Sequence, residues 1–125
     1  ENMITNGRGF RDLKIWQRGL EIVVKVYKLT NKFPQTERFG LTDQLRRAVN
    51  SIIANIAEAH GRYYYADKSR VLFQSRGECE EARSHLSVAA ALNYISKEEF
   101  DDLDSQLAGL GMGINAYIDS LRREK

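Results

Sequence analysis

Apolar residues recur along most of this chain every three or four positions, which is the spacing of one face of an α-helix. The pattern predicts four helices, over Leu13–Lys32, Leu41–His60 and Ala66–Asn93 and from Ser96 onward. Pro34 ends the first helix and Gly61 the second. Ser96 with Glu99 three residues later is a capping box that begins the fourth. No long segment alternates with period two, so the expected fold class is all-α.

Each predicted helix carries an apolar stripe, and four helices with short connections favour an up-down-up-down four-helix bundle. The stripes expected to face the core are Leu13, Trp16, Leu20, Val23 and Tyr27 in the first helix, and Leu72, Ser75, Cys79, Ala82, Leu86 and Ala89 in the third. Asp12 is the expected N-cap of the first helix, and Thr36 or Thr42 that of the second. We divide the chain into an N-terminal tail, residues 1–9, and one bundle domain, residues 10–125.

The first helix has a second apolar stripe, about 130° around the axis from the first. It consists of Ile15, Gly19, Ile22, Val26 and Leu29. One apolar stripe is enough for a helix at the edge of a monomeric bundle, and a second would leave large aliphatic side chains in water. The sequence therefore predicts an oligomer interface at these five residues, and the alternative is a core face wide enough to include both stripes.

The third face of the first helix is basic, and further cations follow on the second helix and after it. The residues expected to bind nucleic acid are Arg11, Lys14, Arg18, Lys25, Lys28, Arg46, Arg47 and Arg62. A ridge of cations binds phosphate backbones through charge and counterion release. Arg62 also precedes Tyr63, Tyr64 and Tyr65, and tyrosines beside arginines stack on unpaired bases or serve as interface aromatics. The alternative for the ridge is an ordinary solvated face.

The charge is unevenly distributed, although the 125 residues carry a net charge of only +2. Residues 1–76 hold 14 Lys/Arg and 7 Asp/Glu, and residues 77–125 hold 5 Lys/Arg and 10 Asp/Glu. This asymmetry indicates either an anionic partner for the basic half or helices that pair by charge. No apolar run approaches the ~20 residues of a membrane span, and a lone cysteine fits a reducing compartment, so we expect a cytoplasmic protein.

The residues that carry covalent or metal chemistry are few and poorly spaced. His60 and His85 do not stand three residues after a glutamate, the spacing that di-iron bundles use. Cys79 lies on a core stripe and is expected to be a small core residue. Arg47, Ser51, Asn55 and Glu58 form a polar row for which a structural hydrogen-bond network is favoured over catalysis. We predict no catalytic residue, no metal and no cofactor, and therefore no enzyme.

A distinctive run in the second predicted helix resembles a known family. The run Gln44-Leu45-Arg46-Arg47-Ala48-Val49-Asn50-Ser51-Ile52-Ile53-Ala54-Asn55-Ile56-Ala57-Glu58 is similar to the signature of the four helix bundle proteins, also called the 23S rRNA intervening-sequence protein family. Phe10-Arg11-Asp12-Leu13 with Trp16-Gln17 is similar to the opening of that family, and Phe33-Pro34 with Phe39-Gly40-Leu41 to its first connection. Gly77 with Glu81 is similar to a motif in the third helix of that family. Glu78 departs from this motif, because the family usually has serine after the glycine.

The resemblance implies a bundle that assembles into a ring-like homopentamer. It implies a link to intervening sequences of large ribosomal RNA genes. It also implies a distant relationship to accessory proteins of diversity-generating retroelements, which bind nucleic acid and a reverse transcriptase. We therefore expect a non-enzymatic oligomer that binds RNA or DNA through its basic helix surface. The alternative is a protein-interaction scaffold, such as an accessory subunit of a reverse transcriptase.

Overall fold

The computed structural model describes residues 9–124 and consists of four α-helices. They are α1 (Lys14–Thr30), α2 (Leu41–Gly61), α3 (Tyr65–Ala91) and α4 (Lys97–Glu124). Short 3-10 turns at Gly9–Asp12 and Gln35–Glu37 precede α1 and α2. There is no β-strand within residues 9–124, so the predicted all-α class is confirmed. Residues 1–8 of the predicted tail lie outside the described part of the chain.

The four helices form a bundle around one apolar core. Helix α1 packs against α2 and α4, and α3 packs against the same two helices. The core stripe predicted for α3 is confirmed, since Leu72, Cys79, Ala82, Leu86 and Ala89 are all buried. Ser75 is buried with them, and its Oγ donates a hydrogen bond to the carbonyl of Ile52 at 2.8 Å. The small residues of this stripe let α3 pack closely against α2.

Helix α1 is rotated relative to the expectation from sequence. Ile22 and Val26 are 2% and 0% exposed, whereas Leu20 and Tyr27 are both 40% exposed. The predicted oligomer interface at Ile15, Gly19, Ile22, Val26 and Leu29 is wrong, because these residues fill the core of their own chain. The stripe expected to face the core instead borders it: Leu13, Trp16 and Val23 are half-buried.

Gly19 fixes this rotation of α1. A Cβ at position 19 would lie 2.3 Å from Cγ2 of Ile53, so α1 and α2 approach too closely here for any larger residue. The position also faces Leu110 of α4. The glycines of α4 do not interrupt the helix, and a Cβ at Gly113 would lie 3.2 Å from Ile15. Close packing at Gly19 and Gly113 thus places α1 in the groove between α2 and α4.

The helix ends follow the sequence signals only in part. The capping box of α4 is confirmed: Ser96 Oγ accepts a hydrogen bond from the Glu99 amide at 3.0 Å, and the Glu99 carboxylate accepts one from the Ser96 amide at 2.9 Å. Asp12 does not cap α1, whose N-cap is Leu13. Neither predicted threonine caps α2, since a carboxylate oxygen of Glu37 accepts the Leu41 amide instead.

Cys79 lies in the core, where burial raises the pKa of its thiol to about 12. A thiol with this pKa stays protonated at neutral pH and is a poor nucleophile. Among residues 9–124, no helix combines the length and the apolar composition needed to cross a membrane.

Candidate nucleic-acid interface

The basic face of α1 lies opposite an acidic row on α4. Lys25 Nζ lies 3.2 Å from a carboxylate oxygen of Asp102, and Lys32 pairs with Glu99. Hydrogen bonds from Gln106 and Lys25 lower the pKa of Asp102, and the contact with Lys32 lowers that of Glu99. These carboxylates therefore remain ionised and neutralise part of the ridge. Lys25, a predicted phosphate ligand, contributes less positive potential than its exposure indicates.

Three other cations of α1 remain exposed. Lys14, Arg18 and Lys28 form no ion pair with any residue from 9 to 124. Arg18 lies over Gly113: a Cβ added at position 113 would lie 3.5 Å from Nη1 of Arg18. The lack of a side chain at position 113 gives this guanidinium room beside α4. The exposed cations of α1 are thus separated by neutralised positions and do not form one continuous ridge.

Arg46 is held in a fixed orientation on α2. Its Nε donates to Thr30 Oγ1 at 2.8 Å, and Nη2 donates to Asn31 Oδ1 at 3.2 Å. The guanidinium carbon lies 4.5 Å from the ring centroid of Tyr27, a cation–π contact. Thr30 Oγ1 itself donates to the carbonyl of Val26 at 2.8 Å, which orients its lone pairs toward Arg46. The C-terminal end of α1 therefore positions this cation.

Arg47 lies next to Arg46 and is largely free. Its side chain is 77% exposed, and its nearest anion is Asp43, with 3.8 Å between Nε and the carboxylate oxygen. Contacts of this length at the surface are weak. Both arginines line one concavity of about 540 Å³, together with Tyr27, Asp43, Asn50 and Ser51. Asn50 donates to the Tyr27 hydroxyl at 3.0 Å and so fixes the position of that ring.

The remaining predicted cations are at the other end of the bundle. The Arg11 guanidinium lies over the ring of Phe10, 4.6 Å from its centroid. Arg62 pairs with Glu58 one helical turn earlier. Tyr63 and Tyr64 are exposed, and their rings make an edge-to-face contact at 4.9 Å. The structure therefore does not bring Arg11 and Arg62 to the concavity that Arg46 and Arg47 share.

The polar row of α2 does not form the predicted network. Glu58 pairs with Arg62, and Arg47 contacts Asp43. Ser51 lines a second concavity of about 450 Å³ between α2 and α3, with Phe39, Asp43, Gln44, Arg47, Ala48, Glu78 and Glu81. Partial burial and the neighbouring carboxylate of Glu81 raise the pKa of Glu78. Of the polar row, only Arg47 and Ser51 line this groove, while Asn55 and Glu58 do not.

Residues 11–116, most of the chain, match the family described as 23S rRNA-intervening sequence protein. The chain belongs to this family. No curated protein matches the chain in sequence. A crystal structure from Bacteroides thetaiotaomicron, described as a protein of unknown function from the S23 ribosomal protein family, is 23% identical to it. The two agree with a TM-score of 0.78 over 84% of this chain and 95% of the other, which shows that they share the fold.

For this member of the intervening-sequence protein family, the sequence indicated Arg46 and Arg47 but not the residues that position them. Tyr27 was assigned to the core stripe of α1, and Asn50 to no role. Neither has a local signal for a site, because the contacts from Arg46 to Tyr27 and from Asn50 to Tyr27 join residues 19 and 23 apart. The only indication in the sequence was that Asn50 lies one helical turn after Arg46.

Proposed function

We propose that this protein is a non-enzymatic, self-assembling four-helix bundle that binds RNA or DNA at the concavity of Arg46 and Arg47. The observation that carries the proposal is an exposed guanidinium, Arg47, beside one that is already oriented, Arg46. Lys14, Arg18 and Lys28 are further exposed cations on α1, but they do not line this concavity. The family description names an intervening sequence of 23S rRNA, so RNA is tested beside DNA.

Binding at this site is a matter of positioning phosphates. A guanidinium presents five N–H donors, and the contacts with Thr30 and Asn31 use two of those of Arg46. The remaining donors and those of Arg47 are available to phosphate oxygens, with which guanidinium pairs well in bidentate geometry. Because these contacts recognise the backbone, the proposed binding has little base readout.

The proposal includes an up-down-up-down arrangement and assembly into a pentamer in the cytoplasm. The arrangement is supported by the order of contacts between α1 and α4, in which Lys25 meets Asp102 and Lys32 meets the earlier residue Glu99. Assembly is supported by large apolar side chains on the outer face of α1, including Leu20 and Val24. Assembly would also repeat the arginine concavity, so that a weak site acts several times on one strand.

The test compares the binding of a single-stranded RNA and of a DNA duplex by fluorescence anisotropy at several salt concentrations. Arg47→Ala is expected to weaken binding and to reduce the slope of log K against log salt by about 1. Arg122→Ala is the matched control, because Arg122 is also an exposed helical arginine beside an aspartate, here Asp119. Binding that does not depend on salt, or that both substitutions weaken equally, would contradict the proposal.

A second candidate function is a scaffold that binds an enzyme, such as an accessory subunit of a reverse transcriptase. It is favoured by the exposed apolar side chains of α1, which fit a protein surface better than a phosphate backbone. Co-purification with a polymerase at high salt would support this candidate. A steep loss of nucleic-acid affinity with salt would support the first.

A further inference from the structure

Two tyrosine rings project into solvent from the connection between α2 and α3. Tyr63 and Tyr64 are 85% and 67% exposed, and their rings meet edge to face with 4.9 Å between the centroids. This contact uses one face of one ring and the edge of the other, so most of the aromatic surface stays in water. Two large aromatic side chains that are exposed together indicate an interaction site.

The faces of these two rings are open, in contrast to the other exposed rings of the chain. The remaining exposed aromatic side chains within residues 9–124 each have a guanidinium over the ring: Arg46 over Tyr27, Arg38 over Phe39 and Arg76 over Phe73. No guanidinium from residues 9–124 lies over Tyr63 or Tyr64. A planar ligand can therefore stack on these two rings without displacing an arginine.

The backbone that carries the two rings is held in place by hydrogen bonds. The connection spans only three residues. Lys68 Nζ donates to the carbonyl oxygens of Ala59 and His60 at 3.2 and 3.1 Å, which joins the first turn of α3 to the last turn of α2. The Arg62 amide also donates to the Ala59 carbonyl at 3.1 Å. Because the connection is ordered before a ligand arrives, stacking on it costs less conformational entropy.

The surroundings of the two rings are basic. Residues 60–70 hold three cations and one carboxylate, namely Arg62, Lys68, Arg70 and Asp67. Arg62 pairs with Glu58, whereas Arg70 is exposed and forms no ion pair with any residue from 9 to 124. A protein partner and an unpaired base can both pack on a tyrosine, but a nucleic-acid strand brings a phosphate with every base. Cations beside open rings therefore favour nucleic acid.

We propose that unpaired bases stack on Tyr63 and Tyr64 while Arg62 and Arg70 hold the neighbouring phosphates. The ligand is then a single strand, because the bases of a duplex already stack on one another and offer no free face. This inference rests on the proposed function and adds a second contact to it, since the arginine concavity recognises only the backbone. Stacking tolerates any base, so the second contact selects single strands and not a sequence.

One strand can reach both contacts. Arg47 and Glu58 are about three full turns apart and so lie on the same side of α2. The pairing of Arg62 with Glu58 brings its guanidinium to that side. From Arg47 to Arg62 the distance along α2 is about 22 Å. Phosphates in a stacked strand follow one another about every 3.4 Å, so a strand of roughly seven nucleotides spans both contacts.

The test measures fluorescence anisotropy with a single-stranded RNA of about 12 nucleotides, the DNA strand of the same sequence and the corresponding DNA duplex. Tyr63→Ala combined with Tyr64→Ala is expected to weaken binding of both single strands at least about fivefold and to leave duplex binding unchanged. Phenylalanine at both positions keeps the rings and should bind as the wild type does. Leucine at both positions keeps apolar bulk without a ring and should bind as the alanine variant does.

The matched control is Phe73→Leu, because Phe73 is also an exposed ring on α3 but has Arg76 over its face. It is expected to bind all three probes as the wild type does, and circular dichroism checks the fold of every variant. If the alanine variant binds single strands as tightly as the wild type, or if leucine serves as well as phenylalanine, stacking on these tyrosines is wrong.

The same variants separate this inference from its alternatives. An alanine variant with unchanged nucleic-acid binding but a changed mass by sedimentation velocity would assign the two tyrosines to a protein contact and overturn the inference. In each of these cases Arg47→Ala still reports on the arginine concavity, so the proposed function stands or fails separately. A wild-type chain that binds none of the three probes overturns both.

Discussion

At the scale of single residues, the glycines of this bundle have opposite surroundings. Gly19 lies where α1 meets α2, and an added Cβ would lie 2.3 Å from Ile53 Cγ2. Gly109 lies on α4, where an added Cβ would meet nothing within 4 Å. We expect Gly19→Ala to lower the free energy of unfolding by about 1–3 kcal/mol through overpacking. Urea denaturation followed by circular dichroism measures the change.

Gly109→Ala is the control for this prediction, and it is expected to raise the free energy of unfolding by up to about 1 kcal/mol, because only helix propensity changes. Adding Ile53→Ala to Gly19→Ala removes the methyl group that clashes, so the second substitution should cost less in that background than in the wild type. Equal effects of Gly19→Ala and Gly109→Ala would show that α1 and α2 are farther apart at Gly19 than the 2.3 Å approach to Ile53 indicates.

Glu78 gives a prediction that depends on pH. Partial burial and the carboxylate of Glu81 raise its pKa in the folded chain. A carboxyl group with a raised pKa favours the folded state while it is protonated, and that stabilisation is lost as the pH rises through the folded pKa. We therefore expect Glu78→Gln to raise the melting temperature at pH 7 and to have a smaller effect near pH 4. An effect independent of pH would mean that packing, and not ionisation, is responsible.

At the scale of elements, α4 begins at a reciprocal pair of hydrogen bonds between Ser96 and Glu99. Ser96→Ala removes the side-chain acceptor for the Glu99 amide, and it is expected to destabilise the protein by about 1 kcal/mol. Ser96→Asp retains an acceptor at the same position and should keep most of the stability. Thermal unfolding of the three proteins measures the difference, and identical melting temperatures would mean that the hydrogen bond from the Glu99 amide to Ser96 contributes nothing to stability.

The helix positions were predictable from the sequence, but the rotation of α1 was not. The spacing of apolar residues and the residues that end helices, such as Pro34 and Gly61, are local features of the sequence. The predicted helix bounds are therefore within a few residues of those observed. The two stripes of α1 have the same spacing, and which of them faces inward depends on contacts with other helices, such as that of Gly19 with Ile53. That contact joins two helices, and no local pattern encodes it.

At the scale of the whole molecule, the candidate site was predictable only in part. Arg46 and Arg47 are adjacent in the sequence and remain together in the fold. Lys25 and Asp102 are 77 residues apart, and the neutralisation of the α1 ridge depends on how α1 packs against α4. The sequence indicated two readings of the charge asymmetry, an anionic partner or helices that pair by charge. The ion pairs between α1 and α4 show that charge pairing between helices accounts for part of this asymmetry.

The pairing of α1 with α4 predicts how stability responds to acid. The contact with Lys32 lowers the pKa of Glu99, so its ionised form stabilises the folded chain. This stabilisation is present above the unfolded pKa of about 4 and is lost as the pH falls through the lowered folded pKa. Glu99→Gln retains the capping hydrogen bond to the Ser96 amide but loses the charge. It is expected to lower the free energy of unfolding at pH 7 by up to about 1 kcal/mol, as for other exposed pairs.

The difference between Glu99→Gln and the wild type should shrink as the pH falls below about 4, because the wild-type carboxyl group then becomes neutral as well. Chemical denaturation at pH 7 and pH 3 measures both values. High salt at pH 7 should also reduce the difference, since exposed ion pairs are screened. A difference that persists in acid would mean that Gln at position 99 perturbs the cap itself. The charge contact between α1 and α4 would then rest on Lys25 and Asp102, beside the packing of Gly113 against Ile15.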